Sequence, residues 1–186
     1  MRIKYLLMIA ALAIVAFRFE WPGALDEVMD RLPGRELPSP GVQIVTGRVT
    51  VIDGDTLALA DRRRIRLFGI DAPESGQTCL DGAGQRYLCG TRAAEALAGL
   101  IGRNGQVTCQ VRDRDQYQRL VAQCRTEAGI DLNREMVRAG WAIDYVRYSR
   151  GLYSAEQREA QIGRQGIWAG SFETPLQWRH DLSRVK

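Results

Sequence analysis

Apolar positions along this chain change character twice. From Tyr5 to Phe17 they are unbroken, with Arg2 and Lys4 ahead and Arg18 directly behind. The run falls short of the roughly 18 to 20 residues of a comfortable membrane-spanning helix, so its length suits a signal peptide. No small-x-small cleavage site follows, since Arg18, Phe19, Glu20 and Trp21 come next, and that favours an uncleaved signal anchor. Either way residues 1–20 form an N-terminal hydrophobic helix, and the basic residues ahead of it favour a cytoplasmic N-terminus with the rest of the chain exported. Residues 21–41 then carry Pro22, Pro33, Pro38 and Pro40 among charges. They read as a Pro-rich stalk, with room for one short helix around Ala24 to Arg31.

Near Val42 the pattern becomes that of a folded domain. Val42, Ile44, Val49 and Val51, then Thr56 to Ala60, then Ile65 to Ile70 predict three successive strands, parted by Gly54 and by the charged turn Asp61 to Arg64. Ala93, Ala94, Leu97, Leu100 and Ile101 recur at helical spacing, with Thr91 as the cap and Gly102 and Gly105 as stops. Val107, Cys109 and Val111 alternate as a fourth strand, and Leu120 to Cys124 return as a fifth. Helices follow over Asp131 to Ala139, ended by Gly140, and over Ser154 to Arg164, where Ser154-x-x-Gln157 reads as a capping box. Three strands, a helix and two more strands is the order of an OB-type barrel. The expected fold is therefore α+β: a five-stranded OB-fold barrel over residues 42–170 with about three packed α-helices, and residues 171–186 as a C-terminal tail.

Composition narrows the class only slightly. A chain of 186 residues suits one domain with attachments, and 45% hydrophobic and 26% charged residues exclude general disorder and a multi-span membrane protein. A net charge of +4 is too mild to identify a polyanionic partner by itself. The cysteines say more. Cys79, Cys89, Cys109 and Cys124 form no Cys-x-x-Cys pair and His180 is the only histidine, which disfavours zinc. If Val111 pairs with Ala122, the same register places Cys109 opposite Cys124, close enough to bridge. That leaves Cys79 for Cys89, and two disulfides agree with export.

Three constellations carry chemistry. Val51-Ile-Asp-Gly-Asp-Thr56 puts Asp53 and Asp55 between two strands, where Asp-Gly is also the ordinary signal of a hairpin turn. Ile65-Arg-Leu-Phe-Gly-Ile-Asp-Ala-Pro-Glu74 places a guanidinium inside an apolar strand and two carboxylates at its end, which strand formation does not call for. Arg112-Asp-Arg-Asp-Gln-Tyr-Gln-Arg119 links the two bridged strands and, taken alone, reads as a solvated loop. A regular strand would send Arg66 and Asp71, five residues apart, to opposite faces. Gly69 is the expected break in that alternation.

Taken together in this order and spacing, Asp-Gly-Asp-Thr, Arg-x-x-x-x-Asp-x-Pro-Glu and Asp-x-Tyr-x-Arg resemble the staphylococcal-nuclease-like (thermonuclease) family. The likeness runs from about Thr46 to Trp168 and includes Gly140 to Tyr148 and Gly166-Ile-Trp168. The resemblance implies an OB-fold nuclease with Ca2+ as cofactor, Asp55, Asp71 and the Ala72 carbonyl as metal ligands, Arg66 and Arg119 on phosphate, and Glu74 near the attacking water. These roles are chemically coherent. A hard cation takes oxygen ligands, and paired guanidiniums stabilise charge that grows on phosphoryl oxygens during cleavage. Tyr117 and Tyr148 are candidates to stack on bases or to bind phosphate, whereas packing accounts equally well for Tyr145. The expected substrate is DNA or RNA, cut with little sequence specificity, and the membrane is a partner if the N-terminal segment stays uncleaved. No protein partner can be inferred. The rival readings are a non-catalytic OB module that binds nucleic acid or another polyanion, and a disulfide-stapled spacer of the cell envelope.

Overall fold

The computed structural model describes residues 41–184; the expected N-terminal helix and stalk lie outside them. Along the chain come β1 (Ile44–Asp53), β2 (Thr56–Leu59), β3 (Arg64–Leu67), β4 (Ile70–Asp71), β5 (Thr78–Leu80) and β6 (Arg86–Leu88). Helix α1 (Cys89–Ile101) leads to β7 (Gln106–Arg114) and β8 (Leu120–Thr126), then α2 (Leu132–Arg138), β9 (Ile143–Asp144), α3 (Val146–Ser149), α4 (Ser154–Ile162), a 3-10 turn (Gly166–Ala169) and α5 (Pro175–Arg184). Among these helices none is long and apolar enough to cross a membrane.

Five strands close a barrel in the order β1-β2-β3-β8-β7, with β7 pairing back onto β1. All the barrel pairs are antiparallel except β3 with β8, where Ile65 lies opposite Leu120 and Leu67 opposite Ala122. This is the expected OB barrel, because three meander strands, a helix and a hairpin can close only if the last strand returns parallel to the third. Leu57, Ile65, Leu67, Val107 and Leu120 fill the interior, and Leu97 of α1 and Met136 of α2 join the same cluster. Each such fully buried aliphatic side chain contributes about 1.5 to 3 kcal/mol.

Both disulfides form as expected. Cys109 faces Cys124 in the β7–β8 register at a Cα–Cα distance of 4.0 Å, and Cys79 is bridged to Cys89 at 5.6 Å. The second bridge also moves a helix start. Helix α1 begins at Cys89, two residues before the expected cap at Thr91, and Leu88 caps it without a side-chain bond. Gly90 permits this: a Cβ there would meet the Glu74 carbonyl oxygen at 1.7 Å, so the first turn of α1 rests directly on the Glu74 backbone. Helix α2 starts as expected, with the Asp131 carboxylate accepting from the Arg134 N–H. The capping box at Ser154 does not form. Buried Tyr153 takes the cap position, while the Gln157 side chain accepts from the Asp144 N–H at 2.8 Å and so holds β9 instead. Residues 171–186, expected as a tail, contain α5, which opens with a capping box of its own: Thr174 N–H donates to Gln177 Oε1 at 3.0 Å and Gln177 N–H to Thr174 Oγ1 at 3.3 Å.

The strand alternation breaks where the sequence requires it to. Strand β3 ends at Leu67, Gly69 takes a φ of +72°, and Ile70–Asp71 leave the barrel to pair with β9. The left-handed backbone suits glycine, and a Cβ at Gly69 would also meet Ser149 Cβ at 2.9 Å. Gly69→Ala should therefore lower unfolding free energy by about 1 to 3 kcal/mol, read by urea denaturation. Gly76→Ala, where a Cβ meets nothing within 4 Å, should cost far less, and equal losses at the two sites would refute the account. A second prediction concerns alkali. Burial pushes the Tyr153 hydroxyl up to about 12, above the roughly 10 of an unfolded tyrosine. Its contribution to stability is therefore complete below about pH 10 and is lost as pH rises through about 12. Tyr153→Phe should shrink the fall in stability between about pH 10 and 12; an unchanged fall would remove Tyr153 as its cause.

Candidate active site

The β1–β2 turn divides the labour between its two acids. Asp53 does the turn chemistry, its Oδ1 accepting the Asp55 N–H at 3.0 Å. Asp55 is left with its carboxylate 2% exposed, accepting from the Ala72 N–H at 2.8 Å and from Thr56 Oγ1 at 3.1 Å. Its contact with Ala72 thus runs through the backbone N–H. Beyond the Gly69 bend, Asp71 is fully buried. Arg66 lies between the two aspartates, Nη1 donating to Asp55 and Nη2 to Asp71 Oδ1 at 2.8 Å. Burial lowers the Arg66 pKa, and Asp71 opposes that shift; a guanidinium stays charged throughout.

Arg119 reaches the same cleft from the β7–β8 loop. Asp115 shapes that loop: its Oδ1 accepts the backbone N–H groups of Tyr117 and Arg119 at 2.9 and 3.0 Å, and its Oδ2 accepts Arg119 Nε–H at 2.6 Å. Burial raises the Asp115 pKa, but these bonds outweigh it and hold the carboxyl below its ordinary value. Among the described residues only Nε of the Arg119 guanidinium is engaged, which leaves its Nη groups for a ligand. The Tyr117 ring lies 5.5 Å beneath the same guanidinium.

Asp53, Arg66, Asp115, Tyr117 and Arg119 line one open cleft of about 650 Å³, together with Glu74, Tyr145 and Tyr148; Asp55 and Asp71 are buried and adjoin it through their pairing with Arg66. Tyr117 and Tyr148 are 71% and 55% exposed, so packing does not account for them. Tyr145 lines the cleft too, edge-on to Tyr148 with ring centroids 4.9 Å apart. The sequence-predicted side chains Asp55, Asp71, Arg66, Glu74 and Arg119 are therefore gathered at one end of the barrel. Among the described residues no group of three or more Asp, Glu, His or Cys side chains is arranged to hold a metal ion. Any cation here would need backbone, water or substrate oxygens beside the two aspartates.

Two contributors are missing from the sequence reading. Arg179 on α5 donates through Nη1 to Asp71 Oδ1 at 3.0 Å and to Glu74 Oε1 at 2.7 Å, and through Nη2 to Asp71 Oδ2 at 3.0 Å. Burial disfavours its charge, but the bonds to Asp71 and Glu74 more than offset that and raise its pKa. Gln77 is fully buried and ties the Glu74 turn to the approach of α5: its Oε1 accepts the Glu74 N–H at 3.1 Å, and its Nε2 donates to the Glu173 carbonyl at 2.7 Å. The one available signal for Arg179 was Thr174-x-x-Gln177, which marks a helix start. Nothing in the sequence aimed that helix at the cleft.

Known proteins show the same pattern of relationship. The chain is 38% identical over 124 residues to the succinoglycan biosynthesis protein ExoI of Rhizobium meliloti (strain 1021), a match covering 67% of this chain and 64% of that protein. It is 30% identical over 172 residues to an uncharacterized endonuclease of Escherichia coli O157:H7, covering 90% and 95%. A probable staphylococcal-like nuclease of Oryza sativa subsp. japonica is 34% identical over 125 residues, 66% of this chain and 34% of that one. The profile of the Staphylococcal nuclease homologue family matches residues 64–170, from the first residue of β3 through the 3-10 turn. Barrel, cleft and sequence agree, and the chain belongs to the staphylococcal nuclease homologue family.

Proposed function

We propose that this domain is a calcium-dependent nuclease that hydrolyses phosphodiester bonds of DNA or RNA with little sequence specificity. Its coarse part follows from the family: a staphylococcal-nuclease-like domain is a phosphodiester hydrolase acting on nucleic acid. The finer part rests on one observation, a cleft lined by Arg66, Glu74 and Arg119 in which Arg66 is paired with buried Asp55 and Asp71.

The donor set fits a hard divalent cation. Asp55 and Asp71 supply carboxylate oxygens in a buried setting, and their recorded bonds leave lone pairs on Asp55 Oδ2 and Asp71 Oδ2. Asp55, Asp71 and Glu74 outnumber Arg66 and Arg179 among the paired groups, so the cluster retains a net negative charge. Asp55 and Asp71, with backbone oxygen from Ala72, would hold the ion, which when bound would polarise the scissile phosphate. Arg66 and Arg119 would bind the phosphate oxygens, where the planar guanidinium fork engages two at once. Glu74, half-buried at the cleft and not fully enclosed like the aspartates, would orient the attacking water or accept its proton. Exposed Tyr117 and Tyr148 would stack on the bases that flank the cut.

Placement outside the cytoplasm belongs to the same proposal. It is supported by the N-terminal apolar run and by two disulfides that use every cysteine of the chain.

Two outcomes test the nuclease reading. Purified chain should cut single-stranded DNA or RNA in millimolar calcium and lose that activity in excess chelator; full activity under chelation would remove the metal, and binding without cleavage would favour the non-catalytic OB module. Glu74→Gln should lower turnover by about a hundredfold or more while leaving the thermal midpoint close to that of the wild type. Unchanged turnover would remove Glu74 from the chemistry.

A further inference from the structure

The C-terminal helix is joined to the site through a continuous series of contacts. The Cys79–Cys89 bridge clamps the β5–β6 hairpin. Leu80 of that hairpin exchanges backbone hydrogen bonds with Ser171, at 2.9 and 3.1 Å. Two residues on, the Glu173 carbonyl accepts from buried Gln77, whose other end holds the Glu74 N–H. Thr174 and Gln177 then cap α5, and one turn into the helix Arg179 meets both oxygens of Asp71 and one of Glu74. Arg179 thereby joins a fully buried carboxylate to a partly exposed one, and both line or underlie the cleft.

Resting on the nuclease reading above, we propose that Arg179 is a positioning residue of the active site: it sets the orientation of the Glu74 carboxylate relative to Asp71, making α5 an integral part of the catalytic centre. Lysine cannot replace it fully, because a single ammonium lacks the fork that bonds two Asp71 oxygens while reaching Glu74. The same guanidinium neutralises charge on Asp71, so it weakens cation binding while it fixes Glu74. A structural staple would behave differently, since its loss would degrade folding, cation binding and turnover together.

The test compares wild type, Arg179→Ala and Arg179→Lys in the full chain. It reads kcat and KM on single-stranded DNA in calcium, calcium Kd by calorimetry without nucleic acid, and the thermal midpoint. Arg179→Ala should lower kcat by roughly ten- to a hundredfold with KM changed far less, as expected when a reacting group is misaligned by about an ångström. Its calcium binding should tighten by roughly three- to tenfold, because a competing cation has gone. Arg179→Lys should restore wild-type calcium affinity and only part of kcat. Unchanged kcat in Arg179→Ala, or kcat falling along with calcium affinity and thermal midpoint, would overturn the proposal. If wild type cuts nothing in calcium, the nuclease reading fails. The calcium titrations still decide the pairing: tighter binding in Arg179→Ala supports it, and equal or weaker binding overturns it.

Discussion

Two aspartates with almost no solvent exposure sit side by side at one end of the barrel, and Arg66 is what makes that arrangement tolerable. Asp55 and Asp71 would repel each other and resist desolvation if unpaired, and removing one partner from such a buried pair costs about 3 to 5 kcal/mol. The guanidinium supplies two donors at fixed spacing, one to each carboxylate. The fold must therefore bring three separate stretches of backbone to one point: the β1–β2 turn, mid-β3 and the segment beyond the Gly69 bend. The barrel supplies the first two by pairing Thr56 with Arg66 across β2 and β3.

The third depends on the bend. With Gly69 in the left-handed region, the chain leaves β3 and re-forms as β4 against β9, turning Asp71 towards Arg66. Supports gather around that bend. Asn133 of α2 donates to the Phe68 carbonyl at 3.0 Å, and Tyr145 N–H donates to the Gly69 carbonyl at 2.8 Å. Helix α2 and Tyr145, the residue that caps α3, thus each hold one side of the turn that delivers an acid to the site.

A second layer of support comes from outside the barrel. The disulfide-clamped hairpin, the first turn of α1 and the approach to α5 all meet at the Glu74 turn, through Gly90, Gln77 and the Leu80–Ser171 bridge. A bridge that would by itself restrict a short loop, by roughly 2 to 3 kcal/mol of loop entropy, here also anchors the segment leading to the C-terminal helix. Arg66 and Arg179 consequently grip Asp71 from two independent elements, one of the barrel and one beyond it.

The amino-acid sequence determined the barrel strands, the β7–β8 register with its cysteine pair, α2 with its Asp131 cap, and five side chains that meet at one end of the barrel: Arg66, Glu74 and Arg119 on the cleft, and Asp55 and Asp71 buried against Arg66. These follow from local rules: alternation of apolar positions, glycine stops, capping side chains, and charges placed where a strand does not call for them. Local rules failed where a side chain had a distant use. Gln157 suits a capping box but spends its oxygen on β9, and Thr91 suits a cap but lies inside a helix whose start is set by the Cys89 bridge and by contact with Glu74. Arg179 and Gln77 were invisible for the same reason. Their partners lie 108 residues away at Asp71 for Arg179 and 96 residues away at Glu173 for Gln77, and no periodicity or capping signal reports contacts at that separation. Tertiary structure alone decided that α5 faces the carboxylates, because helix orientation is set by the surfaces it packs on and not by the residues that make it helical.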